Sequence, residues 1–149
     1  MSPEGSRVLF PRVALGLDRK RIRAFHRRLC GELAGGSTFT CLLSNDKELR
    51  RLNLMFLGHD YPTDVLSFPS GEAANLGDVA ISIEQAELQA EEFGHSLEEE
   101  ISILMLHGVL HLMGMDHEKD RGRMARKETA WRKKLGLPAG LIARARRSQ

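Results

Sequence analysis

Apolar side chains recur along this chain in two rhythms, one of period near 3.6 and one near 2, and their alternation predicts the elements. Residues 8–13, apolar apart from Pro11 and Arg12, suit a first short strand. Over 18–34, Ile22, Phe25, Leu29 and Leu33 fall on one helical face, with arginines and Lys20 around the rest, and Gly35-Gly36 ends the helix. Residues 38–43 are rich in strand formers. Asn45 can cap a helix starting at Asp46, with Glu48 placed to complete a capping box; Leu49, Leu52 and Phe56 form its expected buried stripe, and Gly58 closes it. Residues 64–68 read as a strand stopped by Pro69, 71–77 as a surface loop, and 78–82 as a strand pairing with the previous one. Ser82 with Gln85, and Ser96 with Glu99, are capping-box pairs opening helices that end near Gly94 and Gly114. A final helix spans about 121–135, followed by Gly136 and Pro138, and the basic residues 143–149 are expected to be a mobile tail.

This order predicts an α+β fold: a small mixed β-sheet of about four strands packed with about five helices. At 149 residues the chain suits one domain, spanning 1–149. The helix before Gly114 departs from the amphipathic pattern. Ile101, Ile103, Leu104, Met105, Leu106, Val109, Leu110, Leu112 and Met113 make it apolar almost all round, so it is expected at the centre of the core.

That helix also carries the candidate chemistry. His107 and His111 are four apart and share a face, while Gly114 can take the left-handed conformation that turns the chain back and brings His117 toward the same point. Three neutral imidazoles leave a fourth tetrahedral position open, the catalytic arrangement of zinc, although other divalent transition metals suit it too. The competing reading is a set of ordinary core or surface histidines, but buried imidazoles need partners, and one cation would satisfy both. Metalloproteases with this spacing carry Glu directly after the first His. Here Gly108 stands there, which disfavours peptide hydrolysis, while Asp116 beside the third His is a candidate base or merely a turn residue.

Composition adds two constraints. No apolar run is long enough to cross a bilayer, Pro11 and Arg12 interrupt the first apolar segment, and Cys30 and Cys41 lack metal-type spacing, so a cytoplasmic protein with reduced thiols and no membrane partner is expected. The net charge of +2 conceals segregation: +5 over 1–36, −11 over 37–117 and +8 over 118–149. Basic ends that converge would suit phosphates, and solvated helix faces are the plainer reading.

His107-Gly108-x-x-His111-x-x-Gly114-x-Asp116-His117, together with Pro62-Thr63-Asp64-Val65-Leu66-Ser67-Phe68-Pro69 and Leu76-Gly77-Asp78-Val79, resembles the YbeY family of metal-dependent endoribonucleases, in the family's order and spacing from about residue 42 to residue 124. The resemblance implies one zinc-type ion on His107, His111 and His117, and cleavage of single-stranded RNA in maturation of ribosomal RNA, notably at the 3′ end of small-subunit rRNA. It also implies a part in ribosome quality control, with the ribosome or its proteins as partners. Members usually carry Arg where this chain has Leu57, after Leu52-Asn53-Leu54-Met55-Phe56. Leucine offers no bidentate phosphate contact, so Arg50 on the same expected helix is the candidate replacement cation. The candidate catalytic residues are therefore His107, Asp116 and Arg50. Asn53, Thr63, Asp64 and Ser67 are candidate substrate contacts that could equally hold the loop by hydrogen bonds to backbone. Two other readings stay open: a metal-dependent hydrolase of another bond, peptidase-like through Asp116, and a non-catalytic ribosome- or RNA-binding module.

Overall fold

Strand alternation and helix burial sort this chain into a sheet with helices on both faces. The computed structural model describes residues 7–11, 16–116 and 119–138. In chain order they form β1 (Arg7–Leu9), α1 (Arg19–Arg28) running into a π-helical turn (Leu29–Leu33), β2 (Thr38–Ser44), α2 (Asp46–Leu57), β3 (Val65–Pro69), β4 (Asn75–Ser82), α3 (Ile83–Phe93), α4 (Leu97–Leu112) and α5 (Arg123–Leu135). The sheet order is β1-β2-β4-β3. β1, β2 and β4 are parallel, and β3 lies antiparallel to β4 at the edge. The fold is α+β with a four-stranded mixed sheet, as expected. His117 and the residue 143–149 tail lie outside the described residues.

Successive side chains on each strand face opposite layers. Cys41 and Leu43 of β2 and Val79 and Ile81 of β4 join Ile101, Leu104, Met105 and Val109 of α4 in the main core. Leu42, Ala80, Leu66 and Phe68 face the other way, under Leu49 and Leu52 of α2. Every residue of α4 from Glu100 to Leu110 is buried. His26 is buried as well, donating from its ring to the Phe39 carbonyl at 2.7 Å, and burial lowers its pKa. Cys30 and Cys41 form no disulfide, and burial pushes the Cys41 thiol pKa well up. Among the described residues no helix is long and apolar enough to cross a membrane.

Several expectations shift in detail. The first helix is regular only to Arg28; Gly31, a weak helix former, sits in the wider turn that follows. Ser96 and Glu99 close a full capping box, and its hydrogen bonds hold the Glu99 pKa below the usual carboxylate range. Asn45 and Ser82 accept the expected backbone bonds. Glu48, however, turns to Arg51, and Gln85 donates to Asp46, so neither box closes. β4 begins at Asn75, taking in Gly77 from the expected loop. At Gly77, with φ of 126°, an added Cβ would lie 2.1 Å from the Phe68 carbonyl oxygen, so the pairing of β3 with β4 requires glycine there. Phe56, expected in the buried stripe, is 60% exposed, while Asn53 is buried. The last turn of α2 leaves Phe56 meeting Phe68 edge-on, with ring centroids 5.2 Å apart.

Candidate functional site

The site begins with Gly108. An added Cβ there would lie 2.7 Å from Val79 Cγ1 and 3.2 Å from Ser67 Oγ, so the absence of a side chain lets α4 press against β3 and β4. Ser67 Oγ donates to the Gly108 carbonyl at 2.9 Å, pinning the edge strand to the helix one residue from His107. A side chain at position 108, including the glutamate of a protease motif, would have to displace Val79.

Helical spacing does what it predicts for the first two histidines. Their rings meet nearly edge-on, with centroids 4.8 Å apart, and their Nε2 atoms are 3.2 Å apart. The other nitrogen of each ring is occupied. His111 Nδ1 lies 2.9 Å from the Met115 carbonyl, which only accepts, so Nδ1 carries the proton. His107 Nδ1 lies 2.8 Å from Glu128 Oε2, and an ionised carboxylate likewise only accepts. In the neutral rings each Nε2 is then the acceptor nitrogen, and the two are close enough to share one proton or one cation. Two nitrogens bonded tetrahedrally at 2.0–2.1 Å to one zinc ion stand about 3.3 Å apart. This donor pair fits such an ion. Among the described residues no three His, Cys, Asp or Glu side chains converge on a common point. The proposed third ligand, His117, lies outside them.

Beside the imidazoles runs a cleft of about 380 Å³, lined by His107, His111, Asp64, Val65, Ser67 and Pro69 along with Leu66. Of the candidate contacts, Asp64 and Ser67 share this cleft with the histidines. Asp64 Oδ2 accepts from Gln89 Nε2 at 3.1 Å. Thr63 Oγ1 lies 3.5 Å from Asp64 Oδ1, one step back from the cleft. Asn53 is a brace rather than a cleft residue: its side-chain amide donates to the Tyr61 carbonyl at 2.9 Å, tying α2 to the following loop. Arg50 is directed elsewhere. Its Nε pairs with Asp60 Oδ1 at 2.7 Å, both side chains being more than half exposed, and the pairing lowers the Asp60 pKa. Asp116 lines a separate hollow of about 280 Å³ with Lys119 and Arg123.

The residue that pattern reading missed is Glu128. It is 1% exposed on α5 and holds His107 from behind. The available signal was an acidic residue sharing the buried face of a basic helix with Met124 and Ala125.

Comparison with known proteins identifies the family. A family model described as Endoribonuclease YbeY matches residues 17–136. A relative named Endoribonuclease YbeY from Solibacter usitatus (strain Ellin6076) is 62% identical over 143 residues, covering 96% of this chain and 97% of that protein. Another of the same name, from Helicobacter pylori (strain Shi470), is 43% identical over 120 residues, covering 79% of this chain and 86% of its own length. The solution structure of TM1509 from Thermotoga maritima matches with a TM-score of 0.59 and 26% identity, over 85% of each chain. With likeness running through nearly the whole length and the motif histidines set side by side on one buried helix, the chain belongs to the endoribonuclease YbeY family.

Proposed function

We propose that this chain is a cytoplasmic, metal-dependent endoribonuclease that cuts single-stranded RNA, acting in maturation of the 3′ end of small-subunit rRNA and in ribosome quality control. One zinc ion would be held by His107, His111 and His117. The observation that carries this reading is the pair of Nε2 atoms 3.2 Å apart, each ring fixed through its other nitrogen. When bound, the ion supplies Lewis acidity: it stabilises charge at a phosphoryl group and acidifies water toward a pKa of about 7. The chain supplies orientation. Glu128 and the Met115 carbonyl aim the two imidazoles, and Ser67 keeps the substrate cleft against them. Among the described residues neither Arg50 nor Asp116 lines the histidine cleft. Leu57, 52% exposed, brings no charge, so attraction to phosphate falls to cations such as Arg126, Lys127, Lys133 and Lys134 of α5 and to the basic face of α1.

The test is removal and return of the metal. Dialysis against a chelator should abolish cleavage of a single-stranded RNA oligonucleotide, and zinc should restore it. Cleavage that persists in metal-free protein refutes the reading. Ribosome binding without turnover by the metal-loaded protein would select the non-catalytic module instead.

Glu128 gives a second, more local expectation. Glu128→Gln keeps an acceptor near His107 Nδ1 but removes the charge that strengthens the imidazole as a donor to metal. Zinc affinity should fall roughly 10- to 100-fold, read by competition with a chromophoric chelator. Unchanged affinity would make Glu128 a buried packing residue only.

A further inference from the structure

β3 ends the sheet, and its ladder phase is fixed. Ser82 N donates to the Asp64 carbonyl, and Ser70 N donates to the Leu76 carbonyl, with Val65 opposite Ile81 and Ser67 opposite Val79. In an antiparallel pair, bonded residues alternate with residues whose backbone groups point away. Leu66 and Phe68 therefore bond to β4, while Val65, Ser67 and Pro69 turn theirs outward. Among the described residues no strand pairs with that outer edge.

The histidine cleft lies along this edge. Val65, Leu66 and Ser67 all line it, although Val65 packs with the α4 core and Leu66 with the α2 core. Consecutive strand residues with opposed side chains share one cleft through their backbone. The edge offers two N–H donors, from Val65 and Ser67, and three carbonyl acceptors, since Pro69 has no N–H. A phosphate, which only accepts, would set its charge against three carbonyls. An added peptide strand normally pairs over five or six residues, and Pro69 ends this run early. A nucleobase presents donors and acceptors together along one edge, and a cleft of about 380 Å³ falls within the size range of small-ligand sites.

We propose that the outer edge of β3 binds an unpaired nucleobase, the backbone N–H and C=O groups of Val65 and Ser67 hydrogen-bonding the base of the nucleotide that lies against His107 and His111. The inference rests on the RNA-cleaving reading above. It assigns base contact to main chain at a position where the side chains are taken up by the core and by the Gly108 carbonyl.

The test compares Val65→Pro with Val65→Ala. Proline deletes the outward N–H without removing a bond to β4, whereas alanine trims the side chain and keeps the N–H. On a single-stranded RNA oligonucleotide, kcat/KM of Val65→Pro should fall about fivefold below that of Val65→Ala, the size of one hydrogen bond, with zinc content equal. On the same oligonucleotide made abasic beside the cleavage position, the two variants should differ little. Wild-type protein should itself lose about tenfold on the abasic RNA, a measurement that stands even if Val65→Pro fails to fold. Equal kcat/KM for both variants on intact RNA, or no loss on abasic RNA, overturns the proposal. If wild type neither binds nor cuts RNA, the functional reading fails and this inference with it. If RNA is cut normally while Val65→Pro loses only peptide binding, the edge belongs to a peptide strand and the inference alone fails.

Discussion

His111→Asn is expected to abolish zinc uptake and RNA cleavage together while leaving the fold in place. The amide nitrogen of Asn sits near the position of imidazole Nδ1, so the bond to the Met115 carbonyl, 2.9 Å long in the wild type, survives. What disappears is Nε2, the atom 3.2 Å from its counterpart on His107. Changing a residue that only orients a metal ligand costs about 10- to 100-fold in affinity or activity, so loss of a ligand should cost at least about 100-fold. His111→Ala removes both functions of the ring and should also loosen the turn through Met113 and Gly114. Zinc content, kcat/KM and Tm measured on both variants separate the roles. Wild-type metal content in His111→Asn would remove His111 from the centre.

How far the site could be read from sequence depends on how local each part is. His107 and His111 meet because both lie on one helix, and a four-residue spacing already implies it. The burial of α4 was equally readable, because an apolar run that continues on all faces has nowhere else to go. Glu128 required knowing that α5 crosses behind α4, 21 residues along the chain from His107, which no spacing rule supplies. The Arg50 pairing was hidden from sequence for a related reason. Its helix was foreseen, but which way that helix turned its polar face was not, and Asp60 in the following loop captured the guanidinium.

The sheet shows the same boundary. Each strand was visible from its side chains, and the β3–β4 hairpin from its short connection. The parallel pairing of β2 with β4, which places the hairpin beyond it, joins residues 37 or 38 positions apart and left no local trace. Phe56 also misled, since a helical stripe says which residues align but not where the sheet beneath them ends. At the edge strand the stripe runs out of surface to cover, and Phe56 stays 60% exposed.

Gly108→Ala tests whether the centre depends on close approach of helix and sheet. In an isolated helix this change is favourable by about 1 kcal/mol. Here the new Cβ would meet Val79 Cγ1 at 2.7 Å and Cγ2 at 3.1 Å, both on β4 in the main core, where overpacking costs about 1–3 kcal/mol. The steric term should win, with a net loss of up to about 2 kcal/mol and a fall in Tm of a few degrees. The functional loss should be larger than the stability loss. To relieve the contact, β3 and β4 must draw back from α4, lengthening the Ser67 to Gly108 bond and moving the cleft wall away from both imidazoles. Val79→Ala should then behave as a compensating change. Alone it leaves a cavity; combined with Gly108→Ala it frees the space the new methyl needs, so the double variant should be more stable than the two separate losses imply. A Tm for Gly108→Ala above that of the wild type would mean that helix propensity governs this position, and that α4 and the sheet have room to spare.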